Sequence, residues 1–267
     1  DGHKMGDVTV VDHMVYDGLT DAFEGYHMGI TAENIAEKYA ISREEQDEFA
    51  IESQQRAIAA IDNGKFKSEI VPIEYKTHVF DTDEFPNRTT SLEKLSTLRP
   101  AFKKEGSVTA GNASGINDGA SFVLIASEEA VKQNNLTPLC EIIGVGQGGV
   151  DPAIMGMGPV PAIANALKNA GIKLSDIDVI ELNEAFAAQS LGVIHELMAQ
   201  HGVTREWINE RTNINGGAIA LGHPIGASGN RIVVSLVHEM INNEAKLGLA
   251  SLCIGGGMGT ALILKKC

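Results

Sequence analysis

Between residues 138 and 267, short apolar runs alternate with longer segments of helical periodicity, which confines this part of the chain to a layered α/β architecture. Residues 139–145, 178–182, 248–253 and 260–265 read as strands. Residues 160–170, 184–201 and a segment opening at Arg231 read as helices. In the last helix Ile232, Val233, Leu236, Val237, Met240 and Ile241 recur at helical spacing and give one buried face. In 184–201 the core side falls to Ala187, Leu191, Ile194 and Met198.

The first half is less regular. Residues 1–30 are punctuated by glycine, and a helix is predicted from Thr31 to about Tyr39. Ser42-Arg43-Glu44-Glu45 is a capping box, in which the serine hydroxyl accepts from the N3 amide and the glutamate reaches back. The helix it opens carries Phe49, Ala50, Ser53, Ala57, Ala60 and Ile61 on one face and stops before Gly64, a suitable residue for a left-handed cap. Residues 65–107 are polar and turn-rich, with a strand-like piece at 70–73, and connections of that length are usually functional. Arg88, Lys94, Arg99, Lys103 and Lys104 in this segment read either as a solvated face or as a cluster that receives phosphate. The glycine- and asparagine-rich VTAGNASGINDGA (108–120) feeds an apolar run at 120–126, predicted to be a buried strand, and a helix at 127–134.

Composition excludes several classes. A formal charge of −14 argues against sequence-independent nucleic-acid binding, which needs clustered Lys and Arg, yet it permits a small anionic ligand. Cys140, Cys253 and Cys267 are too few and too scattered for a disulfide framework or a zinc site. The expectation is a reducing, cytoplasmic setting without a metal. The longest apolar stretch, 250–264, is broken by Gly255-Gly256-Gly257 and is too short for a bilayer, so no membrane partner is expected. No signal peptide opens the chain, and without an initiator Met its first residues read like the middle of a protein. Two glycosylation sequons, at Asn112 and Asn135, are then chance matches.

Gly144-Val145-Gly146-Gln147-Gly148-Gly149 matches the dinucleotide fingerprint GxGxxG after a strand. That fingerprint must open a helix at once, whereas Val150-Asp151-Pro152 follows here, so a nucleotide site is not expected.

Three residues fall at or between predicted strand ends: Asn183 after 178–182, Cys253 at the end of 248–253, and His223 on the loop between. In α/β sheets ligands bind at such ends. His223 lies in NGGAIALGHPIGASGNRI (215–232), where Pro224 biases it toward extended backbone just ahead of a helix N-terminus. Read alone, Gly-His-Pro is equally consistent with a structural turn, Cys253 with a small buried hydrophobe, and Asn183 with an ordinary helix cap. Together, thiol, imidazole and amide suit acyl chemistry, and the three glycines at 255–257 leave bare amides beside the sulfur, as an oxyanion site requires.

Seven segments in order carry a family resemblance: HMGITAEN (27–34), SREEQDEFA (42–50), KLSTLRPAFKKEGSVTAGNASGINDGA (94–120), GVDPAIMGMGP (149–159), ELNEAFAAQ (181–189), NINGGAIALGHPIGASG (213–229) and LCIGGGMGTA (252–261). With them the chain resembles the thiolases, in particular the short-chain acetyl-CoA C-acetyltransferases. The resemblance implies that His223 activates a nucleophilic thiol and lines an oxyanion hole, and that Asn183 holds the water completing it. It implies that Cys253 moves a proton on the α-carbon or the leaving group, and that the Gly255 amide donates to a second oxyanion hole. Ser114, Ala110, Phe102, Met155, Phe186, His27, Met28 and Leu19 fall where the family lines its pantetheine and acyl tunnel, and Arg88 falls near its adenine side, displaced by one position from some relatives.

The fold implied is a thiolase-like layered α-β-α C-terminal half-domain plus a loop domain, with the N-terminal half-domain mostly absent. Residues 1–115 would be the loop domain on the CoA-binding side, 116–137 the last strand and helix of the N-terminal half-domain, and 138–267 the C-terminal half-domain. The family's nucleophile, a cysteine in a Cys-Gly-Ser-Gly context, has no counterpart here, so the isolated chain is expected to be inactive. The implied reaction is the condensation of two acetyl-CoA to acetoacetyl-CoA and CoA. Coenzyme A and acetyl-CoA act as substrates with no covalently bound cofactor, in a homo-oligomeric (dimeric or tetrameric) parent. A longer-chain 3-ketoacyl-CoA thiolase and a non-catalytic CoA-binding or assembly fragment are the alternatives.

Overall fold

A computed structural model describes residues 2–267. The first predicted helix spans Gly29–Lys38, opening two residues earlier than its periodicity suggests. The next, Arg43–Asp62, has the full capping box, with Glu45 N donating to Ser42 Oγ at 3.1 Å and Ser42 N to Glu45 Oε2 at 2.7 Å. It stops at Asn63 because Gly64 turns left-handed, at φ 68°. The polar segment that follows holds a two-stranded antiparallel hairpin of β1 (Ile73–Tyr75) and β2 (His78–Phe80), so the strand predicted at 70–73 is displaced toward the turn.

The run at 120–126 is not a buried strand. Phe122, Leu124 and Ile125 are 87%, 86% and 73% exposed, and the segment joins no ladder. Apolar, β-favouring residues need a paired neighbour to become a strand, and none among the described residues lies alongside. Ser127 nonetheless caps the short helix Glu128–Gln133 by accepting from Ala130 N at 3.1 Å.

From Cys140 onward the alternation becomes a four-stranded mixed sheet of β3 (Cys140–Gly149), β4 (Val179–Leu182), β5 (Leu247–Ile254) and β6 (Met258–Lys266), in the order β3-β6-β5-β4. β4 and β5 run parallel, and the other pairs are antiparallel. Side chains alternate across each strand. Ile180, Leu182, Leu249 and Ile263 pack against Ile163 and Leu167 of the helix Pro159–Ala170 and Val193 and Leu197 of the helix Ala187–His201. On the other face Val179, Ala250 and Leu264 meet Ile232, Leu236 and Met240 of the helix Ser228–Asn242. The result is three layers. Burying each large aliphatic side chain contributes roughly 1.5–3 kcal/mol, which outweighs the modest propensities of so short a strand as β4.

The fingerprint-like glycines lie inside β3. A Cβ at Gly144 would sit 2.7 Å from Ala166 O, at Gly146 2.1 Å from Ala162 O, and at Gly148 2.6 Å from Pro161 Cγ. Their period of two places all three on one face, where the helix Pro159–Ala170 lies directly against the strand.

The helix predicted from Glu184 opens only at Ala187. Asn183–Phe186 stays non-helical because tertiary bonds capture it. Ser114 N and Oγ both donate to Ala185 O at 3.0 Å, and Phe186 forms a bridge with Ala113.

Candidate active site

β4 and β5 run parallel, so their C-terminal ends emerge on the same side of the sheet. Asn183 follows β4 directly and is tied to β5 by its backbone N–H, which donates to Ser251 O at 3.0 Å. Its side-chain Nδ2 donates to His223 Nε2 at 3.5 Å, whereas its Oδ1 is buried without a partner. A buried amide oxygen left open costs about 1–3 kcal/mol, so this one has the chemistry to hold a water or a ligand hydrogen.

His223 is fixed from the backbone outward. Its N–H donates to both Gly115 O and Asn117 Oδ1 at 3.2 Å, and Gly222 before it takes φ 96°, with Asn117 occupying the space a Cβ would need. Ser228, the first residue of its helix and fully buried, stands 2.5 Å from Nδ1 and donates its only hydroxyl proton to Pro224 O at 3.0 Å. Nδ1 must then be the protonated nitrogen, which leaves the Nε2 lone pair facing Asn183. Burial, assisted by the Arg231 guanidinium, pushes the imidazole down to about 4, so it is neutral near pH 7.

Cys253 pairs with Gly259 near the end of β5 and packs beside Ala113, Met155 and Phe186. Burial pushes its thiol up to about 12, so the sulfur is protonated. After it, Gly256 and Gly257 take φ 84° and 88°, and Gly257 O accepts from Val150 N at 2.7 Å. A Cβ on Gly255 would sit 2.4 Å from Met28 Cε, so Met28 closes over that glycine.

Of the remaining predicted residues, Phe102, Met155, Phe186 and Met28 share one cluster with Cys253. Phe102 stacks on His27 at 4.5 Å and meets Phe186 edge-on at 6.0 Å. Leu19 joins through its carbonyl, which accepts from Met28 N at 2.8 Å. Ser114 is seated on Ala185, and Ala110 is exposed at the rim of its turn. Arg88 is not brought into this group, because its exposed guanidinium grips Asp62 through two bonds of 3.0 and 2.6 Å. Lys94 and Lys103 are likewise engaged, with Thr89 O and Glu37.

Cys140 is excluded from the site by register. It pairs with Lys266 while Cys253 pairs with Gly259, so the two cysteines lie seven β6 positions apart, roughly 23 Å along the strand. Among the described residues no group of three or more His, Cys, Asp or Glu is placed to hold a metal, and no helix is long and apolar enough to cross a membrane.

The residues that sequence reasoning missed are Ser228, Asn117, Glu181 and Arg231. Ser228 and Asn117 act through turn geometry that spacing does not reveal. Glu181 did leave a signal, as a lone carboxylate in an otherwise aliphatic strand, Val179–Leu182.

Comparison with known proteins identifies the family of the chain. The family model described as "Thiolase, N-terminal domain" matches residues 1–129, and "Thiolase, C-terminal domain" matches 136–266. The expectation that the N-terminal half-domain is mostly absent therefore does not stand, because sequence matching both domains is present. A "Probable acetyl-CoA acyltransferase" of Staphylococcus aureus is 57% identical over 99% of this chain and 66% of its own length. An "Acetyl-CoA acetyltransferase" of Pseudomonas aeruginosa is 56% identical over 99% of this chain and 67% of its own. The chain thus spans about two thirds of the length of these relatives. Among solved structures, the acetyl-CoA acetyltransferase of Bacillus anthracis superposes with TM-score 0.91 at 46% identity, over 100% of this chain and 66% of that one. A human mitochondrial 3-ketoacyl-CoA thiolase in complex with CoA superposes with TM-score 0.88 at 46% identity, over 100% and 65%. With both family domains matched in order and a relative 56% identical over two thirds of that relative's length, this chain belongs to the thiolase family.

Proposed function

We propose that this chain serves thioester chemistry on coenzyme A, in the reversible condensation of two acetyl-CoA to acetoacetyl-CoA and CoA. The observation that carries the reading is the neutral imidazole of His223, with Nδ1 occupied by Ser228 and Nε2 open toward the Asn183 amide. In this reading Nε2 accepts the proton of a nucleophilic thiol. The thiolate so formed raises the imidazole's own proton affinity and offsets the low resting value. Asn183 Oδ1 holds the water that, with His223, faces the enolate oxygen. Cys253, protonated at rest, delivers its proton to the CoA thiolate that departs on acylation, and the resulting thiolate then takes one from the α-carbon of the second acetyl-CoA. The Gly255 amide donates to the second oxyanion.

His27, Met28, Phe102, Met155 and Phe186, with Leu19, Ala110 and Ser114, would line the path of the pantetheine and acyl chain. Residues 1–115 would serve as the CoA-side loop domain and 138–267 as the C-terminal half-domain, with 116–137 between them, in a homo-oligomer. Met28 closing over Gly255 favours a short acyl group. Since neither Cys140 nor Cys267 shares the site, the acyl-carrying thiol is taken to be none of the three cysteines here, and the 267-residue chain binds CoA without turnover.

Calorimetry with CoA and a series of acyl-CoA lengths, combined with iodoacetamide mapping, tests the reading. Expected are saturable binding that weakens beyond short acyl chains, and protection of Cys253 by acetyl-CoA. Absence of CoA binding would overturn it, and a covalent acyl adduct on Cys140 would overturn the assignment of the thiol.

A further inference from the structure

Behind the His223–Asn183 pair lies a second, deeper contact between the same two elements. Glu181 precedes Asn183 by two residues on the same side of the β4 extension, and Arg231 follows Ser228 by three on the helix that anchors His223. Arg231 Nη1 reaches Glu181 Oε2 at 3.9 Å, and the Glu181 side chain is only 2% exposed. Arg231 also approaches Ser235 Oγ at 3.4 Å, and that hydroxyl donates to Glu69 Oε1 at 3.3 Å, which draws in the polar segment. One guanidinium therefore spans three parts of the chain: the strand carrying Asn183, the helix start holding His223, and the segment after Gly64.

We propose that Arg231 is a positioning residue for His223, clasping β4 to the first turn of the helix Ser228–Asn242 through Glu181 so that Asn183 and His223 meet. At 3.9 Å the contact is an ion pair and not a hydrogen bond, and Glu181 Oε2 and Arg231 Nε have no hydrogen-bond partner, so the clasp is tightest once Glu181 is ionised. Its second effect is electrostatic. Facing Arg231 are Glu181 from β4, Glu184 just beyond it, and Glu69 and Asp83 from the polar segment, while Glu239 of its own helix stands near Glu69 and Glu181 and bonds to Asn215 and Asn243. The same cation lies close enough to His223 to disfavour a second charge on the imidazole. Arg231 thus helps to hold the imidazole in place and adds to burial, the larger cause, in keeping it neutral. This goes beyond the acyl-transfer reading and does not depend on it, since the effect is read on the imidazole itself.

Histidine-selective nitrogen NMR on the 267-residue chain tests the proposal with R231M, R231K and E181L. R231M is expected to raise the His223 titration midpoint by about one pH unit or more and to shift the Nε2 resonance as the Asn183 hydrogen bond is lost. R231K, which keeps the charge, should hold the midpoint near wild type. E181L should shift Nε2 without raising the midpoint. An R231M protein with midpoint and Nε2 unchanged overturns the proposal, as does an R231K shift as large as that of R231M. Where R231M does not fold, E181L decides: a wild-type Nε2 resonance in it removes the clasp. CoA binding measured on the same samples reports separately on the acyl-transfer reading.

Discussion

The imidazole of His223 is held at both ends, by Ser228 Oγ 2.5 Å from Nδ1 and by Asn183 Nδ2 3.5 Å from Nε2. The two contacts have different jobs, since the serine selects the tautomer and the asparagine faces the reactive nitrogen. In acetoacetyl-CoA thiolysis by a longer thiolase chain that carries these residues together with the nucleophilic thiol, His223→Ala is expected to lower kcat by about 10²–10⁴-fold, the usual weight of a general base. Ser228→Ala is expected to lose less, because Nε2 remains and only its tautomer is no longer enforced. Equal losses in the two variants would contradict this division of labour.

Acid should weaken the fold through the same imidazole. His223 is pushed from its ordinary 6.5 down to about 4, so between those values the unfolded chain binds a proton that the native state refuses. The associated stability is present above pH 6.5 and is lost as the pH falls toward 4, amounting to about 2 kcal/mol after allowance for partial exposure. Glu181, pushed up to about 8 by burial, runs the other way, because its native proton becomes a growing cost as the pH rises from 4.5 to 8. Urea unfolding across this range should show His223→Asn gaining on wild type as the pH falls, and Glu181→Gln gaining as it rises. Parallel stability curves for wild type and either variant would remove that group from the linkage.

Alkylation should distinguish the cysteines by environment rather than by number. Cys267 is exposed, whereas burial raises the Cys253 thiol to about 12 and leaves almost no thiolate at pH 8. Peptide mapping after brief iodoacetamide treatment is expected to find Cys267 labelled well before Cys253, with the difference vanishing in denaturant. Early labelling of Cys253 would mean that its pocket opens readily.

The helix against β3 leaves no room for side chains. Gly146→Val would drive a Cβ to within 2.1 Å of Ala162 O, a backbone atom that cannot swing aside. Overpacking of this kind costs about 1–3 kcal/mol or more, and thermal unfolding should report a lowered Tm. Gly226→Ala, with open space around the added methyl, is the control expected to stay near wild type.

Much of this was legible in the sequence. The capping box at Ser42, the apolar faces of the later helices and the strand alternation depend on local chemistry, and each appears within a few residues of its expected place. His223, Asn183 and Cys253 were legible because they fall at or between strand ends, His223 and Cys253 beside glycines. The rest required the third dimension. The run Phe122–Ile125 has strand composition, but composition cannot supply the neighbour that makes a strand. The start of the helix at Ala187 rather than Glu184 is decided by Ser114 and Ala113, more than seventy positions away in the chain. Arg231 looked like one more charged residue on a helix. Only the packing of that helix on β4 brings it to Glu181, two residues before Asn183.

The alternating glycines of β3 settle what GxGxxG can mean here. A phosphate grip works by offering unused amides at an open helix mouth. Gly146 and Gly148 instead sit in register with Ala261 and Gly259 across the ladder, and their α-carbons are roofed by a neighbouring helix. No anion can approach that side of them, and no larger residue can replace them without prising two layers apart. The six letters work as a spacer gauge, setting how close a helix may lie to the strand whose far end reaches the Gly255–Gly257 turn.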